Sequence, residues 1–97
     1  MVVLYLEPAR REYWDAVEFY ESQAVGLGAD FIAEVERTEQ HLLAHPHRGS
    51  PYRAGTRRML VSRFPFWIVY SLEPDQIVVI AVAHQHRRPD YWRTRTR

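Results

Sequence analysis

The segment from Ile77 to Ala83 constrains the fold most strongly, because every one of its residues is apolar. A run of this length suits a strand and is far too short to span a bilayer. A strand that is apolar on both faces must be covered on both faces. We therefore expect this segment to be the central strand of a sheet that other elements cover.

Other segments of the chain also have strand character. Val2–Leu6 is rich in β-branched and aromatic residues, and Phe66–Leu72 has a similar composition. Tyr52–Arg63 is expected to form one strand, with Gly55 as the point where it could break. Glu73–Gln76 contains the proline and aspartate of a turn, so the last two strands should be antiparallel neighbours.

Two amphipathic helices are predicted between the first two strands. From Ala9 onwards apolar residues recur at three- and four-residue spacing, which predicts a helix ending near Gly26. A second helix carries Asp30 in its first turn and an apolar stripe over residues 31–43. The short glycine-containing connection predicts an antiparallel hairpin. The expected α+β fold is one domain, 1–97, of order β-α-α-β-β-β, with the hairpin packed on a small, mostly antiparallel sheet.

Charge divides the chain into two halves. Residues 1–45 hold nine acids and three arginines, a net charge of −6, whereas residues 46–97 hold ten arginines and three acids, a net charge of +7. This asymmetry suggests that the second half meets a polyanion or an acidic protein segment. All 13 basic residues are arginine, which suits bidentate contacts to phosphate and carboxylate; a GC-rich genome explains the absence of lysine equally well.

Composition excludes several kinds of site. The absence of cysteine removes disulfides, thiolate nucleophiles and cysteine metal sites. The His45-x-His47 and His84-x-His86 pairs lack a carboxylate pattern that would complete a metal site, so neither a metal nor a cofactor is expected. The N-terminus has no signal-peptide pattern and no segment is long enough for a membrane span, so we expect a cytoplasmic protein.

Six sequence fragments stand in order along nearly the whole chain. They are A-x-x-E-x-x-D-A-V-x-F-Y from Ala9, G-L-G-x-x-F from Gly26, P-x-x-G from Pro46, the pair Arg57-Arg58, R-F-P-F-x-I-x-Y from Arg63, and A-V-A-H-x-x-R-x-P-x-Y-W from Ala81. Together they resemble the RelE/ParE toxins of bacterial type II toxin–antitoxin systems, a family that includes plasmid stabilisation proteins.

The resemblance implies a toxin that a cognate antitoxin neutralises by wrapping it. An acidic, partly disordered antitoxin encoded beside this gene is expected, and the assembly would be a homodimer or a toxin–antitoxin heterotetramer. Two activities occur in such families: RelE-like toxins cut mRNA on the ribosome without a metal, and ParE-like toxins inhibit DNA gyrase. A third alternative is an inactive antitoxin-binding co-repressor, harmless when expressed alone. The fold does not choose among them.

Metal-free RNA cleavage needs a base, an acid and cations that hold the phosphate. Residues His84–Arg97 are expected to form a C-terminal arm after the last strand. The resemblance to RelE-like nucleases implies that a small set of residues from the middle strands and this arm would fill these roles. The candidate catalytic residues are Arg58, His84, Arg87 and Tyr91.

Three positions depart from the nuclease pattern. Leu60, Trp67 and Gln85 stand where the RelE-like proteins that this chain resembles have basic residues. Because these basic residues are missing, the sequence favours ParE-like inhibition of gyrase, with the ribosome-dependent nuclease as the alternative.

Arginines concentrated in the second half are the candidate binding residues. Strand alternation places Arg57 and Arg63 on one face and Arg58 on the other. These side chains could bind RNA phosphates or an acidic antitoxin segment, and charge reversal at Arg57 and Arg58 is expected to weaken antitoxin binding. The candidate residues for antitoxin or nucleic-acid binding are Arg57, Arg58, Arg63, Arg87 and Arg88.

Packing roles compete with functional ones for several aromatic residues. Tyr70 is expected in the core, and Tyr91 and Trp92 could serve to pack the arm onto the sheet. His84, at a strand end, could be a hydrogen-bonded structural residue.

Overall fold

The computed structural model describes residues 1–96, so Arg97, the last residue of the predicted arm, lies outside the described residues. Within them, the helices and strands are β1 (Val2–Tyr5), α1 (Glu7–Gln23), α2 (Leu27–Ala44), β2 (Ser50–Pro51), β3 (Arg57–Leu60), β4 (Phe66–Leu72) and β5 (Gln76–His84). Short 3-10 turns cover Arg53–Gly55 and Arg93–Arg95. Over the same residues, neither helix combines the length and apolarity that a bilayer crossing requires.

The strands form one sheet in the order β1-β5-β4-β3-β2. All neighbouring strands are antiparallel except β1 and β5, which are parallel. The helical hairpin carries the chain from β1 at one edge of the sheet to β2 at the other edge. The predicted α+β class and the β-α-α-β-β-β order are confirmed, and the two-residue β2 is an additional edge strand. β5 is an interior strand, between β1 and β4, as its composition requires.

The hairpin turns at glycine. Gly26 has a φ of 89°, which a side-chain-bearing residue rarely adopts. The Glu21 carboxylate accepts hydrogen bonds from the backbone N–H groups of Gly26 and Gly28, each at 3.0 Å, and so satisfies donors at the start of α2. The predicted end of the first helix near Gly26 is confirmed.

The prediction of a single strand over Tyr52–Arg63 is wrong. The segment contains a 3-10 turn and then β3, which ends at Leu60. Ala54, Gly55 and Arg63 have φ values of 57°, 73° and 73°. These left-handed conformations are incompatible with an extended strand, so the chain turns before and after β3.

A bulge interrupts the alternation of side chains along the apolar run of β5. Val69 pairs with Ala81 but the next residue, Tyr70, pairs with Val79, which leaves Ile80 as an extra residue in β5. Ile80 and Ala81 therefore both contact the cluster on the face away from the helices.

Different elements cover the two faces of the sheet. On the helix side, α1 and α2 pack against β4 and β5, and Tyr70 is fully buried there, which confirms its predicted core position. On the other side, which we call the arm side, Trp92 is 1% exposed and packs with Val69, Ile80 and Ala81. The C-terminal arm (residues 85–96) thus supplies the second cover.

Candidate functional site

Arg58 is held between two aromatic rings on the arm side of the sheet. Its guanidinium carbon lies 4.1 Å from the ring centroid of Tyr52 and 4.0 Å from that of Trp67. Stacking on ring faces uses the flat surfaces of the guanidinium and leaves its in-plane N–H donors available. The rings therefore fix the position of this cation without consuming its hydrogen bonds.

A cavity of about 70 Å³ opens beside Arg58. It lies where the ends of β4 and β5 meet the start of the arm. Its walls include all four candidate catalytic residues and one further candidate binding residue: Arg58, His84, Arg87, Arg88 and Tyr91. We call this the arginine cavity, after Arg58, Arg87 and Arg88.

Tyr91 forms a buried wall of the arginine cavity. The Arg87 guanidinium carbon lies 3.9 Å from the Tyr91 ring centroid, and that of Arg95 lies 5.2 Å from it. Within residues 1–96 the Tyr91 hydroxyl is buried and has no hydrogen-bond partner of ordinary geometry. Burial, followed by the neighbouring Glu12 carboxylate, raises the pKa of Tyr91 well above its usual value.

An ion pair fastens the arm to α1. Arg95 donates two parallel hydrogen bonds of 2.9 Å to the Glu12 carboxylate, and the two side chains are only 18% and 16% exposed. The same Arg95 donates to the Ile80 carbonyl at 3.1 Å, and Glu12 accepts from the Val82 N–H at 3.0 Å. These two side chains therefore satisfy backbone hydrogen-bonding groups of β5 beyond the point where its pairing with β1 ends.

His84 ends β5 and belongs to a small aromatic group. Its Nδ1 accepts a hydrogen bond from the His86 backbone N–H at 3.1 Å. Its ring meets the edge of Phe66 at 5.1 Å and that of His86 at 5.0 Å. A hydrogen-bonded histidine at the strand end is therefore present, as the sequence suggested.

Arg57 and Arg63 lie away from the arginine cavity, on the helix side. Arg57 donates hydrogen bonds to the carbonyl oxygens of His47 and Gly49, at 3.2 and 2.7 Å. Arg63 forms ion pairs with Asp30 at 3.6 Å and Glu34 at 3.5 Å. The predicted separation of Arg57 and Arg63 from Arg58 is confirmed, although β3 ends before Arg63.

The charge of the arginine cavity is not neutralised within the described chain. Among residues 1–96, Arg58, Arg87 and Arg88 form no ion pair. Asp90 is nearby but pairs with Arg53 at 3.1 Å. The cavity therefore presents cations to solvent and is suited to bind a carboxylate or phosphate group. Within residues 1–96, no group of three or more histidine, aspartate or glutamate side chains could hold a metal ion.

Sequence reasoning missed the residues that hold the cations in place. Tyr52 and Trp67 were not proposed as site residues, and only the antiparallel pairing of β3 with β4 places Trp67 on the same face as Arg58. That pairing could have been anticipated from the turn at Pro65. The Glu12–Arg95 pair joins residues 83 positions apart, and nothing in the sequence pattern indicated it.

Comparisons with known proteins agree with the fold and the sequence fragments. A family model described as ParE toxin of type II toxin-antitoxin system, parDE, matches residues 3–89. Among solved structures, a chain of the "Chromosomal ParDE TA system from P. aeruginosa" is similar with a TM-score of 0.70 at 17% sequence identity. The similarity covers 87% of this chain and 95% of that one, and at this identity it shows the fold. No curated protein matches the chain.

The family match spans both helices and all five strands, and it ends before Tyr91, Trp92 and Arg95 of the arm. It confirms the resemblance drawn from the six fragments and identifies a toxin whose partner is an antitoxin. The chain therefore belongs to the ParE toxin family of type II toxin–antitoxin systems.

Proposed function

We propose that this chain inhibits DNA gyrase and that its antitoxin neutralises it by placing an acidic segment at the arginine cavity. Membership of the ParE family supports the inhibition of gyrase. The observation that carries the proposed neutralisation is the cavity itself, which combines uncompensated cations with very little space. The proposal places the chain in the cytoplasm. A toxin homodimer and a toxin–antitoxin heterotetramer are the assemblies to distinguish by sedimentation.

The size of the arginine cavity argues against the mRNA nuclease. Its volume of about 70 Å³ compares with roughly 300–1,000 Å³ for pockets that enclose small-molecule ligands. Trp67, which stands where the nuclease pattern has a basic residue, occupies part of this region by stacking on Arg58. A nucleotide would not fit inside the arginine cavity without moving these side chains.

The candidate catalytic residues also do not supply both an acid and a base for RNA cleavage. The Tyr91 hydroxyl stays protonated at neutral pH, because burial raises its pKa above the usual value, so it is unsuited to act as a base. Its burial also keeps it from donating a proton to a substrate. Arginine stays protonated and cannot act as a base either. Of the four candidate catalytic residues, only His84 could exchange a proton with a substrate, which leaves the second proton-transfer role unfilled.

A carboxylate suits the cavity better than a nucleotide does. Arg58 keeps its donors free while two rings fix its position, and Arg87 stacks on Tyr91 in the same way. A preorganised guanidinium binds a carboxylate bidentately with little loss of side-chain freedom. Acidic residues of an antitoxin are thus the natural ligands of this surface.

Induced expression of the chain in a bacterial host, with pulse labelling of DNA and protein synthesis over the first minutes, tests the proposal. We expect DNA synthesis to stop first while ribosome-bound mRNA stays intact. An early stop in protein synthesis with cut mRNA would establish the nuclease instead. Unimpaired growth would indicate the inactive co-repressor.

A further inference from the structure

A second concavity of about 350 Å³ lies between α1 and the end of β5. It is five times larger than the arginine cavity and falls within the range of ligand-enclosing pockets. Ala16, Phe19 and Tyr20 of α1 form one wall, and Phe66 and Val82 of the sheet form the other. We call it the aromatic groove.

Three aromatic residues line the groove in continuous contact. The ring of Tyr20 lies 5.3 Å from that of Phe19 and 6.1 Å from that of Phe66, each in an edge-to-face arrangement. Phe19 is 57% exposed, so its ring contributes little to the core. An exposed aromatic ring at the rim of an apolar groove is typical of a surface that a partner covers.

The β5 side of the groove is closed to main-chain pairing. Beyond Val79, where pairing with β1 ends, the Ile80 carbonyl is bonded to Arg95 and the Val82 N–H to Glu12. A partner strand could not add to this edge without displacing both side chains. The groove is therefore suited to side chains projecting from a partner segment, as in helix-in-groove recognition.

Charge at the groove identifies the kind of segment that fits. Glu12 is neutralised by Arg95, which leaves Asp15 as the unpaired acid among the residues lining the groove. At the other end, His84 and Arg87 line both the aromatic groove and the arginine cavity. A segment that places an apolar side chain in the groove would therefore hold its neighbouring residues beside an uncompensated arginine.

We infer that the aromatic groove receives a large apolar side chain of the antitoxin, next to the acidic residue that meets Arg87. The inference rests on the proposed neutralisation at the arginine cavity and adds a second, uncharged contact to it. A leucine- or phenylalanine-sized anchor fits the volume, and the adjoining cations select a segment in which that anchor is flanked by acid.

The test is the dissociation rate of the complex between this chain and the antitoxin encoded beside its gene, measured by biolayer interferometry. Phe19→Ala should speed dissociation by about tenfold or more, equally at low and high salt, because an apolar contact is not screened. Trp14→Ala is the matched control, since Trp14 is an aromatic residue of the same helix, is 48% exposed and lies outside the groove. It should change the rate by less than about twofold. Circular dichroism checks that both variants are folded.

Arg87→Ala separates the inference from the function on which it rests. Its effect should be strong at low salt and should shrink at high salt. If Arg87→Ala weakens antitoxin binding and Phe19→Ala does not, the groove inference is overturned and the proposed function stands. If neither variant weakens antitoxin binding, both are overturned. Two further results would assign the groove to another occupant and so contradict the inference: gyrase inhibition lost with Phe19→Ala at unchanged antitoxin affinity, or a toxin dimer that this variant disperses.

Discussion

On the helix side of the sheet, Arg57 and Arg63 are held by oxygen atoms, whereas on the arm side Arg58 and Arg87 are held by aromatic rings. Carbonyl and carboxylate partners consume the N–H donors of a guanidinium and, in the carboxylate case, its charge. Aromatic faces consume neither. Arginine is thus structural at Arg57 and Arg63 and available to a partner at Arg58 and Arg87.

The comparison extends to how each side is covered. Two helices cover the helix side, and their apolar stripes make a conventional core. On the arm side only a few residues cover the sheet, chiefly the buried ring of Trp92 and the Glu12–Arg95 ion pair. A cover made of so few contacts should depend strongly on each of them.

The largest effect is therefore expected from Trp92→Ala. Truncating this ring, which is 1% exposed, should lower the free energy of unfolding by about 3–5 kcal/mol, because it leaves a void over Val69, Ile80 and Ala81. Trp14→Ala, at a ring that is 48% exposed, should cost less than about 1 kcal/mol. Urea denaturation measures both. Equal losses would mean that the arm is not a second cover.

Breaking the ion pair should be the next largest effect. Glu12→Gln leaves Arg95 without its charge partner in a site that is less than one-fifth exposed, and should cost about 2–3 kcal/mol in unfolding free energy. Glu7→Gln is the control, since Glu7 and Arg11 are paired but 73% and 74% exposed. It should cost no more than about 0.5 kcal/mol. Similar thermal midpoints for the two variants would contradict this account of the arm.

Neighbouring arginines on opposite faces allow a direct test of the comparison. Arg57→Ala removes two hydrogen bonds to loop carbonyls and should lower the unfolding free energy by about 1–2 kcal/mol without changing antitoxin affinity. Arg58→Ala should instead weaken antitoxin binding by about tenfold at low salt. Calorimetry measures the unfolding free energy and the antitoxin affinity of both variants. The division of roles fails if Arg57→Ala weakens binding as much as Arg58→Ala.

The smallest expected effect is the alkaline pH dependence of stability. Burial, followed by the charges of Glu39 and Glu36, raises the pKa of Tyr13 from 10.0 to about 12. Between those values the unfolded chain loses a proton that the folded chain keeps. The contribution of Tyr13 to stability is therefore fully present below pH 10 and is lost as pH rises towards 12. Urea midpoints between pH 9 and 11.5 should fall less steeply in Tyr13→Phe. An unchanged slope would show that Tyr13 does not contribute.

Most of the fold was predictable because the relevant signals are local. The apolar run of β5, the helical periodicity and the glycine turn each act within a few residues, and each predicted its element. The break after Leu60 was not predicted, because an arginine gives no local signal for the left-handed conformation that Arg63 adopts beside Asp30 and Glu34.

The candidate site was predictable only in part. Alternation separated Arg58 from Arg57, and the resemblance indicated Arg87 and Tyr91, which the structure brings to the same cavity. The resemblance could not indicate that the Tyr91 hydroxyl is buried, because that depends on how the arm folds back on α1. The role of an arm residue therefore depends on a contact that no local pattern encodes.

The most direct measurement of the central claim is a supercoiling assay with purified gyrase and the purified chain. We expect the wild-type chain to inhibit supercoiling and the added antitoxin to restore it. Antitoxin should fail to restore activity at the same concentration when the chain carries Arg58→Glu and Arg87→Glu, whereas Arg57→Ala should behave like wild type. Undisturbed supercoiling at every concentration of the wild-type chain, with cleavage of ribosome-bound mRNA in its place, would contradict the account.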